Sequence, residues 1–192
     1  MKFLISPGHY PGAPGAINWN IDPPVIEHYI CCKAAKIVVK KLKYGNIQAR
    51  FFRGKLSQII HYANEIWKPD FLIQLHLNSV GFPDAHGTEV IYSGISDSKS
   101  FAQIILEELL FEFQLKSRGL KLPYYYDNKG NIVGKNALIQ QCRCKVYITE
   151  PLFLSNPDEV KLIFNNFTQR YAKAIVRAIN QIRYISHSYE ND

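Results

Sequence analysis

At 192 residues, with 47% hydrophobic and 20% charged side chains, the chain is long enough for one domain with a continuous core and too apolar for a disordered polypeptide. Its 23 Lys and Arg against 16 Asp and Glu give a formal charge of +7, which favours anionic partners such as nucleic acid, phospholipid or an anionic cell-wall polymer. No window approaches the ~20 apolar residues of a membrane span, and the start "MKFLIS" is too short in apolar residues for a secretory leader. The sequence therefore predicts a protein made in the cytoplasm without a signal peptide and without stable membrane insertion.

In chain order, apolar runs at 2–6, 47–52, 70–77, 87–92 and 145–150 read as buried strands. They alternate with stretches of helical period, which predicts an α/β fold: three layers, with an open, mostly parallel or mixed twisted sheet of about six strands and helices on both faces. The first helix is expected to start after Asp22-Pro23-Pro24, with Asp22 as its cap, and to end at Tyr44-Gly45. Further helices are expected over 56–67, 98–113 and 157–182, the last opening on the cap-and-proline start "SNPDE". The segment 116–141, with Tyr124-Tyr125-Tyr126 and "DNKGN", reads as an irregular loop on the functional face. Residues 1–184 are expected to form a single catalytic domain and 185–192 a flexible tail. The four cysteines, an adjacent pair at 31 and 32 and "CRC" at 142–144, lack zinc-module spacing and read as reduced, mostly buried thiols.

In an open α/β sheet, ligands bind beyond the carboxyl ends of the strands. His9 lies just past the first expected strand, in "ISPGHYPGAPGA". His76 ends the third, in "IQLHLNS", and Glu150 ends the fifth, in "KVYITE". Glu27, near the start of the first helix, can face the same end of the sheet. Singly, each has a plain structural explanation, as a strand-end histidine or a first-turn acid facing the helix dipole. Together they converge by topology. Two imidazoles and one carboxylate make a zinc set with a fourth position open to water, and such a site needs a separate carboxylate as base. His9, Glu27 and His76 fit the ligands of one Zn2+ ion and Glu150 fits the base, which predicts metal-assisted hydrolysis of an amide or ester. His28, next to Glu27, points about 100° away on a helix.

The order "PGHYPGAPGA", a glutamate at the head of the first helix, "ANEIWKPDFLIQLHLNS", "GTEVIYS" and "VYITEPLFLSNPDE" resembles the zinc-dependent N-acetylmuramoyl-L-alanine amidases of bacterial cell-wall hydrolases and phage endolysins. The resemblance implies zinc ligands at His9, Glu27 and His76 and a catalytic acid and base at Glu150. It also implies cleavage of the amide between N-acetylmuramic acid and the L-alanine of the stem peptide. Asn78, in the "H-x-N" motif, is a candidate substrate-binding residue. Tyr10 replaces the usual glycine, and the interval from His9 to Glu27 is longer than usual, enlarging the loop that bears Trp19 and Asn20. The family's arginine before the "AN" pair is absent.

These readings imply a peptidoglycan partner rather than nucleic acid, a monomer, and a single-domain lysis enzyme of phage or prophage type acting on the cell wall or periplasm. Two alternatives remain at this point: a zinc peptidase cutting within the stem peptide, and a basic binding module without catalysis.

Overall fold

In the computed structural model, which describes residues 1–94, 98–127 and 129–189, neighbouring side chains of the first strand enter two separate cores. Strand β1 (Lys2–Pro7) sends Phe3 and Ile5 to one face and Leu4 to the other, all wholly buried. A strand covered on both faces reads as an unbroken apolar run, which is why the stretch at 2–6 shows no alternation. The same division recurs in β5 (Phe71–Leu75), where Ile73 and Leu72 part, and in β10 (Lys145–Glu150), where Tyr147 opposes Val146 and Ile148.

With β4 (Gln48–Phe51), β6 (Thr88–Tyr92) and β7 (Ser117–Lys121), these strands form a six-stranded sheet in the order β4-β1-β5-β10-β6-β7. The first four in that order are parallel, whereas β6 runs antiparallel to β10 and parallel to β7. The carboxyl ends of β1, β5 and β10 and the amino end of β6 therefore lie on the same side. Helices α1 (Glu27–Tyr44), α3 (Ser98–Phe113) and α5 (Phe167–Tyr189) cover one face. Helix α2 (Leu56–His61), its π-helical continuation Tyr62–Trp67 and α4 (Ala137–Gln141) cover the other. The expected three-layer mixed α/β architecture is the one observed.

Several local boundaries differ from expectation. Asp22 does not cap α1. Val25 and Ile26 form strand β3 (Val25–Ile26), antiparallel to β2 (Ile17–Asn18), and Ile26 keeps extended dihedrals (φ −116°, ψ 120°) up to the helix start at Glu27. Asn156 does act as a cap, its Oδ1 accepting from the backbone N–H of Asp158 and Glu159. The turn it caps, at residues 157–159, leads only into the short 3-10 helix Val160–Phe164, which has no side-chain cap of its own, and Asn166 (φ 49°) breaks the chain before α5. The segment 116–141 is not irregular: it supplies β7, a hairpin of β8 (Tyr124–Tyr126) with β9 (Ile132–Lys135), and α4. Helix α5 runs to Tyr189, five residues beyond 184, and residues 190–192 of the expected tail lie outside the described residues. The four cysteines are free; Cys31, Cys32 and Cys142 are buried and Cys144 is half-buried.

Helices α3 and α5 are tied by charge across their outer edges. Glu112 accepts from Arg177 Nη1 at 2.8 Å and from Arg170 Nε at 3.3 Å, and Glu108 accepts from Arg177 Nε. Burial alone would raise the Glu112 carboxyl, but the two arginines and the charge of Lys173 hold it below the usual carboxylate range. A carboxyl depressed in the folded state contributes stability above its unfolded pKa and loses it as pH falls through the folded value. Unfolding free energy from urea titrations is expected to drop as pH falls below about 4.5, and to drop less steeply in Glu112→Gln.

Candidate active site

β1 ends in Pro7, and the backbone then turns sharply: Gly8 N still donates to Leu75 O at 2.6 Å, while His9 takes a left-handed conformation (φ 60°). A residue with a side chain in that region is uncommon and is held there only by its surroundings. Here a tight turn follows, with paired backbone bonds between Tyr10 and Ala13. The turn presents the His9 ring to the end of β5, where His76 sits, and the two rings meet edge to face with centroids 5.0 Å apart.

Glu27 lies between them. Its Oε1 is 2.8 Å from His76 Nδ1 and accepts from Leu77 N at 3.1 Å; its Oε2 is 3.3 Å from His9 Nε2 and accepts from Ala16 N at 2.9 Å. Only 2% of Glu27 is exposed. Burial pushes its carboxyl up, yet the hydrogen bonds and charges of His76 and His9 outweigh burial and hold it well below the usual carboxylate range. Reciprocally, the Glu27 hydrogen bond raises His9 against the lowering effect of burial. Gln74 Oε1, 3.0 Å from His76 Nε2, touches the other edge of that imidazole.

The ligand atoms of His9, Glu27 and His76 lie within 4.8 Å of one another, close enough to share one metal ion. An imidazole, imidazole and carboxylate set suits zinc and leaves a position for water, and the carboxylate is already locked by backbone N–H groups. The surrounding backbone is shaped to these side chains. A Cβ on Gly8 would run into the His76 ring, and one on Gly15, where φ is +78°, would run into the Glu27 carboxylate and the His9 ring. These two glycines let the chain pass within contact of the cluster.

Glu150, half-buried at the end of β10, lines the same opening. Its Oε2 is shut from solvent without a hydrogen-bond partner among the described residues. Burial first, and then the charges of Glu27 and Glu89, push its carboxyl well above the usual range. Such a group is suited to taking and returning a proton. Behind both strands, the buried Tyr171 hydroxyl lies 3.0 Å from Thr149 O and 3.4 Å from His76 O, tying α5 to the ends of β5 and β10.

The structure thus brings His9, Glu27, His76 and Glu150 together. His28 is turned away: it is wholly buried, with Nδ1 3.0 Å from Gly8 O, and so braces the turn that carries His9. The Asn78 side chain is tied into the wall, donating to Glu89 Oε1 at 2.9 Å and accepting from Ser79 N. Sequence reasoning missed Glu89, which is buried directly opposite Glu150 in the β6–β10 pairing and is held by Arg118 Nε at 2.7 Å. An acid inside the apolar run "TEVIY" was the available signal. It also missed Glu159, whose carboxylate accepts from Gly87 N and Phe153 N and fixes the two loops below the site.

Two imidazoles at the carboxyl ends of parallel strands, a carboxylate at the head of α1 between them and a second carboxylate beside them, unpaired among the described residues, are the groups an α/β hydrolase with a metal centre uses. The comparisons name its class. Residues 3–181 match the N-acetylmuramoyl-L-alanine amidase family, and the chain belongs to that family of peptidoglycan hydrolases. No curated protein sequence matches it. Among solved structures, the catalytic domain of the amidase CwlV from Bacillus (Paenibacillus) polymyxa var. colistinus superposes with a TM-score of 0.78 at 24% identity, over 95% of this chain and 98% of that one. An N-acetylmuramoyl-L-alanine amidase of Nostoc punctiforme gives 0.79 at 20% identity, over 97% of each chain. The catalytic domain of an endolysin targeting Clostridia difficile gives 0.75 at 21% identity, over 94% of this chain and 97% of the other.

Because Gly15 has no room for a side chain and takes positive φ, Gly15→Ala is expected to leave circular dichroism native while weakening zinc binding about 10–100-fold in calorimetric titration.

Proposed function

We propose that the chain cleaves the amide between N-acetylmuramic acid and the L-alanine of the stem peptide with one zinc ion held by His9, Glu27 and His76, and with Glu150 as acid and base. The observation that carries this reading is the buried Glu27 carboxylate shared by both imidazoles, set beside a Glu150 oxygen that has no partner among the described residues. When bound, zinc supplies Lewis acidity at the scissile carbonyl and lowers the pKa of water toward ~7.

The remaining steps fall to the protein. Glu150 accepts the proton of the attacking water as its oxygen bonds to the lactyl carbonyl carbon. It then gives that proton to the alanine nitrogen as the C–N bond breaks, leaving a lactyl carboxylic acid and an amine, which end as carboxylate and ammonium once the acid's proton passes to the amine. A carboxyl raised by burial and by Glu27 and Glu89 holds the proton long enough to return it. Glu27 keeps its position throughout through Ala16 N and Leu77 N. The net charge of +7 assists association with an anionic wall, where a lysis enzyme of endolysin type works. No helix among the described residues is long and apolar enough to cross a membrane.

Incubation with purified peptidoglycan is expected to release stem peptides beginning at L-alanine, and a chelator should abolish the release. Fragments cut inside the stem peptide would instead identify a peptidase and overturn the assignment. Glu150→Gln is expected to lower kcat about 1,000-fold while metal analysis still finds one zinc per chain, whereas His76→Ala should lose the metal.

A further inference from the structure

Two grooves leave the candidate site in different directions, and their chemistry differs. The first is a cleft of about 440 Å³ that begins at His9 and His76 and runs toward the β8–β9 hairpin and the start of α4. Its floor is apolar, with Leu56, Ile59 and Leu138. Its far wall carries one cation, Lys135, which is exposed, lies 5.1 Å over the Tyr124 ring and pairs with no carboxylate among the described residues. Tyr125 on the same wall accepts from Asn136 Nδ2 at 3.3 Å, and Asn136 in turn caps α4 through Ile139 N. The wall is thus braced from within, and Lys135 Nζ remains for a ligand.

The second groove continues from the site mouth past Ser79 and is walled by Asn18, Trp19, Asn20 and Ser155. Past Ser79, no charged side chain lines it among the described residues. The indole of Trp19 is 73% exposed at the tip of the β2–β3 hairpin, and that tip is anchored where Asn18 Nδ2 donates to Leu154 O at 2.8 Å. An exposed aromatic face flanked by amide and hydroxyl side chains matches a sugar ring, whose C–H face stacks while its hydroxyl and acetamido groups hydrogen-bond. An apolar trough ending in a lone cation matches a short peptide that starts with a methyl side chain and next bears a free carboxylate.

Resting on the amidase reading above, we infer that the site is two-armed. The N-acetylmuramoyl ring lies against Trp19 in the groove past Ser79. The leaving stem peptide runs along the cleft under β8–β9, where Lys135 reads the free carboxylate of its second residue. Lys135 and Trp19 are then specificity residues on opposite sides of the scissile bond. The enlarged loop after His9 serves glycan recognition, while the Tyr124–Tyr126 strand serves the peptide arm rather than the sugar.

The test uses the zinc-loaded full chain and three soluble substrates: a muramyl peptide whose second residue, a γ-linked glutamate, has a free α-carboxylate; its α-carboxamide; and the lactoyl peptide without the sugar. The ratio of kcat/KM for carboxylate over carboxamide is expected to fall about fivefold in Lys135→Ala and further in Lys135→Glu, and to be unchanged in Trp19→Ala. The ratio for sugar-bearing over sugar-free substrate is expected to fall about fivefold in Trp19→Ala and to be unchanged in both Lys135 variants. The same ratios, read as dissociation constants with the Glu150→Gln protein, test the two arms whether or not turnover occurs. Crossed effects, or ratios that neither residue moves, would overturn the inference. Absence of L-alanine-starting products from the wild-type chain would instead overturn the amidase reading.

Discussion

The Glu27 carboxylate is the point on which the site is built. It is drawn out of water at the first residue of α1, and four donors meet it there: Ala16 N, Leu77 N and the rings of His9 and His76. The donors come from three parts of the chain, His76 and Leu77 being neighbours at the end of β5, so one side chain fixes the β1 turn, the end of β5, the loop before α1 and the helix itself in mutual register. A buried carboxylate stripped of these partners would be costly, so the constraint acts in both directions. The glycines follow from it. Gly8 and Gly15 are where two backbone segments must pass within contact of the cluster that Glu27 organises.

Partnered and unpartnered acids then alternate outward from that centre. Glu27 is held by imidazoles, Glu150 stands unpaired beside it, and Glu89 stands opposite Glu150 with Arg118 and Asn78 attached. Among the described residues Glu150 is thus the acid left without a cation, between two acids that each have partners. Arg118 also lies over the Phe153 ring, 4.9 Å from its centroid, which fixes the guanidinium against the loop following β10. The reversal of β6 makes this possible. Had β6 run parallel to β10, its first turn of residues would lie at the opposite end of the sheet.

Much of this was legible in the sequence because the fold writes it locally. A parallel strand covered on both faces leaves an apolar run, and the residue at its carboxyl end lies where ligands bind, so His9, His76 and Glu150 could be read from position alone. Glu27 was reachable because a helix start faces the same end. The Glu89–Arg118 pair was not, since nothing local marks two residues 29 apart as partners across a parallel pair. Asp22 misled because a cap-and-proline pattern carries no information about Ile17 and Asn18, whose pairing with Val25 and Ile26 keeps the backbone extended until Glu27. The hairpin β8–β9 was obscured by its exposed faces: five of its seven strand residues are exposed and the other two half-buried, so no apolar period announces it.

The loop between His9 and Glu27 is closed at its base, beside the cluster of His9, Glu27 and His76. Glu27 N donates to Ala16 O and His28 N to Pro14 O, and β2 pairs with β3 above that junction. The stretch from Ile17 to Ile26 is therefore sealed at its stem, and Val25 in the core and Asn18 Nδ2 on Leu154 O hold its strands. Residues can be added or exchanged at its tip without altering the spacing of His9, Glu27 and His76. The length of this loop can therefore vary independently of the spacing within the cluster.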